Sequence, residues 1–137
     1  MKQDVAKRWS MALRSGQYKQ GSKYLCLDQQ FCCLGVLAEL SDVVRKDDSK
    51  YQRYDIFGNS NTSLAVVRIY GDGAISSVPK DVAVEAEMIC TLGARRDRKE
   101  LVFRDRPGHY QNLAHANDCG IPFTAIAEYI DENWEQL

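Results

Sequence analysis

Cysteine and histidine residues in this chain could together perform nucleophilic catalysis, with a thiolate as nucleophile and an imidazole as base. Cys33 stands at the predicted start of a helix, where the helix dipole stabilises a thiolate. His109 or His115 could act as its base, and Asn117 or Asp118 follows them along the chain. This order of residue types raises a cysteine-dependent hydrolase or transferase as one hypothesis.

The neighbours of Cys33 favour a different interpretation. Leu34 and Val36 are apolar, and apolar surroundings raise the pKa of a thiol. We therefore predict a buried structural cysteine and assign no catalytic residue. A metal site is not predicted either, because Cys26, Cys32 and Cys33 lack the spacing of two intervening residues that structural zinc sites use.

Arginine, lysine and tyrosine side chains offer a second kind of chemistry, the binding of an anion. Guanidinium groups form paired hydrogen bonds with phosphate, and tyrosine rings can stack on nucleobases. The sequence has no glycine-rich phosphate loop of a known kind, and no cofactor is predicted. The predicted ligand-binding residues are Arg14, Tyr18, Lys19, Arg68, Arg95, Arg104, Asn117 and Asp118.

A helix-turn-helix pattern near the end of the chain suggests DNA binding at first sight. Ala116, Gly120, Ile121 and Ile126 have the spacing that this motif favours. The helix that would enter the DNA groove, residues 122–136, carries four acidic residues and no lysine or arginine. Such a helix would repel phosphate, so we predict a packing motif and no DNA partner.

Hydrophobic periodicity predicts the elements that must position these side chains. The pattern predicts helices over residues 3–14, 33–40 and 110–116, with two more that begin near Pro79 and Pro122. It predicts strands over residues 23–27, 51–57, 64–70 and 101–103. The predicted fold is α+β, a single domain over residues 1–137 in which four or five helices pack on a small antiparallel sheet.

Local signals within these elements give more detailed predictions. Gly16 is expected to end the first helix in a left-handed conformation. Gly35 lies inside a predicted helix, where glycine costs about 1 kcal/mol relative to alanine, which indicates close approach of another backbone. Ile89 is expected on the buried face of the third helix. Turns are predicted at residues 28–30, 58–61, 71–73 and 107–108.

Composition excludes several classes of protein. The chain has 137 residues, of which 27% are charged, with a net charge of −1, so it fits one globular domain and not a general coat for nucleic acid. Its five cysteines are odd in number and irregularly spaced, which argues against a disulfide framework. No apolar run reaches the length of a membrane span or resembles a signal peptide, so we expect a cytoplasmic protein without a membrane partner.

Three blocks of sequence carry a family resemblance. They are residues 12–21, which begin Ala-Leu-Arg-Ser-Gly, residues 31–37, which read Phe-Cys-Cys-Leu-Gly-Val-Leu, and residues 113–127, which contain Asn117-Asp118. The chain thereby resembles a widespread family of small phage and prophage proteins, most of them described only as hypothetical. The blocks cover about a third of the chain, and residues 42–106 lie outside them.

That family is in turn similar to the anti-Thoeris sponges, with which phages counter bacterial immunity. The resemblance implies a protein that binds a cyclic ADP-ribose isomer or a cyclic oligonucleotide without cleaving it. It also implies a homo-oligomer with pockets where subunits meet, acting in the host cytoplasm, and no enzymatic activity. Two alternatives stay open: the cysteine enzyme at Cys33, and an inhibitor that binds a host protein directly.

Overall fold

The structure, a computed structural model, describes residues 1–54, 60–71 and 73–137. This described part contains five α-helices, a five-stranded sheet and a two-stranded sheet, which confirms the predicted α+β class. The helices are α1 (Gln3–Arg14), α2 (Cys33–Leu40), α3 (Lys80–Glu85), α4 (Leu113–Asp118) and α5 (Phe123–Asn133), followed by a 3₁₀ helix (Trp134–Gln136). The strands are β1 (Lys19–Gln20), β2 (Cys26–Leu27), β3 (Gln30–Phe31), β4 (Lys46–Tyr54), β5 (Ser60–Tyr70), β6 (Leu101–Phe103) and β7 (Arg106–Tyr110).

The larger sheet has the strand order β1-β3-β2-β5-β4 and is mixed. β2 and β3 form a tight hairpin whose two turn residues, Asp28 and Gln29, both have the positive φ that such turns require. β3 lies between β1 and β2. β1 therefore pairs with β3, and the two strands are parallel, with Lys19 opposite Gln30. This parallel pair is a detail that the expected antiparallel sheet did not contain.

The long hairpin of β4 and β5 completes the sheet. Lys46 lies opposite Tyr70, and Lys50 lies opposite Val66. Two of the predicted strands fall in this hairpin, although both begin earlier than expected. The predicted turn at residues 58–61 and the glycine-rich turn around residue 72 lie partly outside the described residues.

Helix α1 packs one face against α5 and α2. Val5, Trp9 and Leu13 are buried, and the Trp9 indole nitrogen donates a hydrogen bond of 2.8 Å to the carbonyl oxygen of Cys33. Gly16 follows the helix with φ of 74°, which confirms its predicted role as a left-handed terminator.

Helix α5 has the amphipathic character that its sequence predicts. Phe123, Ile126, Ala127 and Ile130 are buried, as their helical spacing requires. The opposite face is polar and exposed. α5 is therefore a core element that holds α1 on one side and β6 on another.

Helix α2 lies very close to the backbone of Leu25, the residue that precedes β2. A Cβ atom on Gly35 would lie 2.6 Å from the carbonyl carbon of Leu25 and closer still to its carbonyl oxygen. The predicted close approach of another backbone is confirmed. The Cys32 sulfur caps the helix by accepting a hydrogen bond of 3.4 Å from the Gly35 amide.

Three local predictions are wrong for identifiable reasons. α3 ends at Glu85, and Glu87 has φ of 54°, so Ile89 falls after the helix and is 54% exposed. The predicted turn at residues 107–108 lies within β7, because the chain reverses at Arg104–Asp105. The fourth helix begins only at Leu113, since the preceding residues belong to β7 and to the helix cap.

Candidate ligand-binding groove

An open groove of about 610 Å³ runs between the exposed side of α1 and the end of α5. Lys7, Met11 and Arg14 line it from α1. Asp131 of α5 and Trp134 of the 3₁₀ helix line it from the other side. Its volume falls within the usual range of small-molecule sites, and it combines cations with an aromatic ring.

Small residues on α1 create the space for this groove. Ala6 and Ser10 face the α5 side of the helix and are buried. The Ser10 hydroxyl donates back to the carbonyl oxygen of Lys7 at 3.1 Å, so its polar atom is satisfied within its own helix.

The groove is polar and electrically mixed. Arg14 Nη1 donates to Asp131 Oδ2 at 2.7 Å, and both side chains are more than one third exposed. Lys7 has no ion partner among the residues that the structure describes. Asp4 adds a second carboxylate to the lining. The cations can therefore bind and orient an anion, and the lining holds no nucleophile–base pair.

Two other arginines predicted as ligand-binding residues lie elsewhere around α5. Arg95 Nη1 donates to the Tyr129 hydroxyl at 3.1 Å and to Asn133 Oδ1 at 2.9 Å. Its remaining nitrogen atoms hold Asp97, whose pKa is lowered by these hydrogen bonds. Arg104 forms an exposed ion pair of 2.8 Å with Glu132. Arg95 thus ties the basic segment to α5, and Arg104 lies outside the groove.

Arg68 is held by two carboxylates, and Tyr18 packs edge-on against the ring of Phe31, with 5.2 Å between the ring centroids. Arg68 binds Glu39 at 2.9 Å and Asp48 at 2.7 Å, and the Tyr70 hydroxyl donates to Glu39 at 2.7 Å. Burial raises the pKa of Tyr18, and the negative charge of Glu39 adds to this effect. Because Arg68 already compensates two carboxylates, it fixes β5 to α2 and β4 and has little capacity to bind an outside anion.

Asn117 and Asp118 have structural roles at the junction of α4 with the loop after β1. Asn117 Oδ1 accepts from Gln20 Nε2 at 3.1 Å and from the Cys33 amide at 3.2 Å. Asn117 Nδ2 donates to the Gly21 carbonyl oxygen at 2.8 Å, and only 2% of Asn117 is exposed. Asp118 caps the same loop at the Lys23 amide. The Asn117 amide is thus used at both of its atoms within the protein, and the exposed Asp118 holds the loop through one carboxylate oxygen.

The predicted ligand-binding residues therefore occupy separate places in the described part of one chain. Arg14 lines the groove, Arg95 and Arg104 lie around α5, Arg68 pairs with Glu39 and Asp48, and Tyr18 packs on Phe31. Lys19 is exposed on the edge strand β1, and Asn117 and Asp118 lie at the α4 junction. Sequence reasoning missed Trp134 and Lys7 as groove residues. The exposed face of α1, opposite its apolar stripe, could have indicated Lys7, whereas no local signal sets Trp134 apart from the apolar residues of α5.

Cys33 is not placed as a nucleophile would be. Its side chain is fully buried, burial raises the pKa of the thiol well above its ordinary value, and the sulfur lies 3.5 Å from the Leu113 carbonyl oxygen. His115 is exposed, and its Nδ1 accepts a hydrogen bond from the Gln111 amide. His109 pairs with Glu100 at 3.1 Å. Within the described ranges, no three histidine, cysteine or acidic side chains cluster closely enough to hold a metal ion.

Thiol labelling checks this environment directly. With iodoacetamide under native conditions, we expect rapid modification of Cys119, which is exposed, and slower modification of the half-buried Cys90. Cys32 and Cys33 are expected to react only after unfolding, because both thiols are buried and protonated. Peptide mass spectrometry over time reads out each site. Equal native rates at Cys33 and Cys119 would contradict the burial described above.

Two helices joined by a short turn are present where the helix-turn-helix pattern was seen, and the second of them is acidic on its exposed side. α4 and α5 are joined by a short turn in which Gly120 has φ of 84°. The exposed side of α5 presents Glu128, Asp131 and Glu132. The motif packs the end of the chain onto α1, as its sequence pattern indicates.

Comparisons with known proteins place the chain in a family. Among the described residues, no helix is both long enough and apolar enough to cross a bilayer. No curated protein and no solved structure matches the sequence. A family model described as "Domain of unknown function (DUF8296)" matches residues 1–134, and the chain belongs to that family.

Proposed function

We propose that this protein binds an anionic nucleotide in the groove between α1 and α5 and sequesters it without cleaving it. The ligand class proposed is a cyclic nucleotide immune signal, either a cyclic ADP-ribose isomer or a cyclic oligonucleotide. Such a protein would act as a phage-encoded sponge in the host cytoplasm. The proposal of ligand class comes from the three sequence blocks, and the proposal of site comes from the groove.

The observation that carries the proposal is the combination of side chains in the groove. Lys7 offers an ammonium group without an ion partner among the described residues, and Arg14 uses one of its nitrogen atoms for Asp131. These groups suit the phosphates of a nucleotide, since guanidinium and ammonium groups form charge-assisted hydrogen bonds with phosphate. Trp134 supplies a partly exposed indole ring, on which a base can stack.

The same groove lacks the means to break a phosphodiester or glycosidic bond by cysteine chemistry. Cys33, the cysteine with the most suggestive sequence position, is buried beneath Trp9 and α4. The groove carboxylates Asp4 and Asp131 lie on an open surface, and Asp131 is held by Arg14. Binding followed by storage is therefore the simplest use of this arrangement.

Isothermal titration with a panel of cyclic nucleotides tests the site. Lys7→Ala and Arg14→Ala are each expected to weaken binding by about tenfold, because each removes one charged contact with phosphate. Arg104→Ala is the matched control, since Arg104 also forms an exposed ion pair with an α5 carboxylate but lies outside the groove. Its affinity is expected to equal that of the unaltered protein. Equal losses in Arg14→Ala and Arg104→Ala would contradict the groove as the site.

A further inference from the structure

A turn over residues 95–99 is fixed to the body of the protein by its first side chain. Arg95 donates hydrogen bonds of 3.1 and 2.9 Å to two side chains of α5. The Arg98 amide closes the turn by donating to the Arg95 carbonyl oxygen at 3.2 Å. The Lys99 amide donates to Asp97 Oδ1 at 3.1 Å. We call residues 95–99 the basic turn, and its shape is set by these contacts within the protein.

The basic turn presents cations that the protein itself does not use. Arg96 and Arg98 are exposed, and neither lies within ion-pair distance of a carboxylate in the described part of the chain. Asp97, the acidic residue of the turn, is engaged by Arg95 through two hydrogen bonds of 2.9 and 2.8 Å. Lys99 comes no nearer to Asp97 than 4.0 Å, and its side chain is 78% exposed. The turn can therefore bind carboxylates or phosphates from outside the protein.

Arg98 has a backbone conformation that favours glycine. Its φ is 56°, a region that glycine adopts freely and that residues with a side chain adopt at a cost. Strain of this kind is found mainly where a side chain has a binding role. An exposed arginine in this conformation, without an ion partner among the described residues, therefore indicates that its guanidinium group is used on something outside the chain.

The charges beside the basic turn indicate which kind of anion it can take. α5, to which Arg95 is bound, presents the carboxylates of Glu128 and Glu132 on its exposed side. A wide polyanion such as a nucleic acid would extend over these carboxylates and be repelled. A short acidic segment can contact the turn alone. Val102, which is 57% exposed on β6 directly after the turn in sequence, offers such a segment an apolar contact as well.

We propose that the basic turn docks an acidic segment of another protein, with Arg96 and Arg98 as the residues that bind its carboxylates. Guanidinium groups pair with carboxylates through two parallel hydrogen bonds, which suits them to this role. No residue of the basic turn lines the groove between α1 and α5. The inference therefore does not depend on the proposed nucleotide, and it concerns a separate surface of the protein.

Fluorescence anisotropy with a labelled peptide of glutamate and leucine residues tests this surface without any nucleotide present. The double variant Arg96→Gln/Arg98→Gln is expected to bind the peptide at least about tenfold more weakly than the unaltered protein. Arg98→Gly is expected to weaken binding while leaving the melting temperature unchanged or higher, because glycine adopts a positive φ without strain. A residue with a purely structural role would not show this combination.

Arg8→Gln is the matched control for these variants. Arg8 is another exposed arginine without an ion partner among the described residues, but it lies on α1. This variant should bind the peptide as tightly as the unaltered protein does, and a peptide with glutamine in place of glutamate should not bind. The proposal would be overturned if the acidic peptide failed to bind the unaltered protein or bound the double variant equally well. Tighter binding of a single-stranded RNA through the same two arginines would also overturn it.

Discussion

Gly35→Ala is expected to destabilise the protein by about 3 kcal/mol or more, and this is the largest effect of a single methyl group that the structure predicts. In a helix interior, replacing glycine by alanine ordinarily stabilises by about 1 kcal/mol. Here the new Cβ would lie 2.6 Å from the Leu25 carbonyl carbon, and the obstacle is backbone, which cannot rotate away. α2 would have to move off β2. Urea denaturation followed by tryptophan fluorescence measures the change.

Gly16→Ala is the matched control for this substitution. Nothing lies within 4 Å of a Cβ added to Gly16, so the cost is limited to its left-handed φ of 74°. That cost is about 1–2 kcal/mol. We therefore expect Gly35→Ala to be far more destabilising than Gly16→Ala. Equal effects would show that α2 does not approach β2 as closely as described.

Asn117→Ala is the second large effect, with an expected loss of about 3 kcal/mol in the free energy of unfolding. The side chain joins the Gln20 amide, the Cys33 backbone amide and the Gly21 carbonyl oxygen at one buried point. Alanine would leave the buried Cys33 amide and the partly buried Gly21 carbonyl oxygen without their partner. Asn117→Asp is expected to fail as well, because a carboxylate has no donor for the Gly21 carbonyl oxygen.

Asn112→Ala provides the comparison for this prediction on the same helix. Asn112 caps α4 by accepting from the His115 amide at 2.8 Å, on a half-buried surface. Losing an N-cap of this kind costs about 1 kcal/mol. Equilibrium denaturation measures the free energy of unfolding of both variants. We expect the loss in Asn117→Ala to be at least about twice the loss in Asn112→Ala. A smaller loss at Asn117 than at Asn112 would contradict the role of the Asn117 hydrogen bonds in joining α4 to α2 and to the loop after β1.

Gly35 and Asn117 both lie in sequence blocks that carry the family resemblance. Gly35 belongs to the second block and lets α2 approach the backbone of Leu25. Asn117 belongs to the third block and joins α4 to the start of α2 and to the loop after β1. These two block residues therefore have packing roles, whereas the residues that line the groove lie mostly outside the blocks, with Arg14 as the shared member.

Local patterns in the sequence predicted much of the fold. The apolar stripes of α1 and α5, the left-handed Gly16 and the close approach at Gly35 all follow from short-range rules of helix spacing and glycine geometry. Such rules act within a few residues, so a single sequence is sufficient to apply them.

Long-range arrangements could not be predicted in the same way. The parallel contact of β1 with β3 depends on which strand lies between two others, and no local signal encodes that. The partners of Arg68, which are Glu39 and Asp48, lie 29 and 20 positions away in sequence. An arginine that binds phosphate and one that holds two carboxylates look identical in a sequence, and only the fold separates them.

Heat release of bound ligand tests whether the protein holds an intact nucleotide, as proposed. The folded protein is incubated with cyclic ADP-ribose isomers and cyclic oligonucleotides and separated from free ligand. It is then heated, and the supernatant is analysed by mass spectrometry. We expect recovery of one ligand class at its original mass from the unaltered protein, and much less of it from Arg14→Ala. Recovery of a cleaved product, or of no nucleotide from any member of the panel, would contradict it.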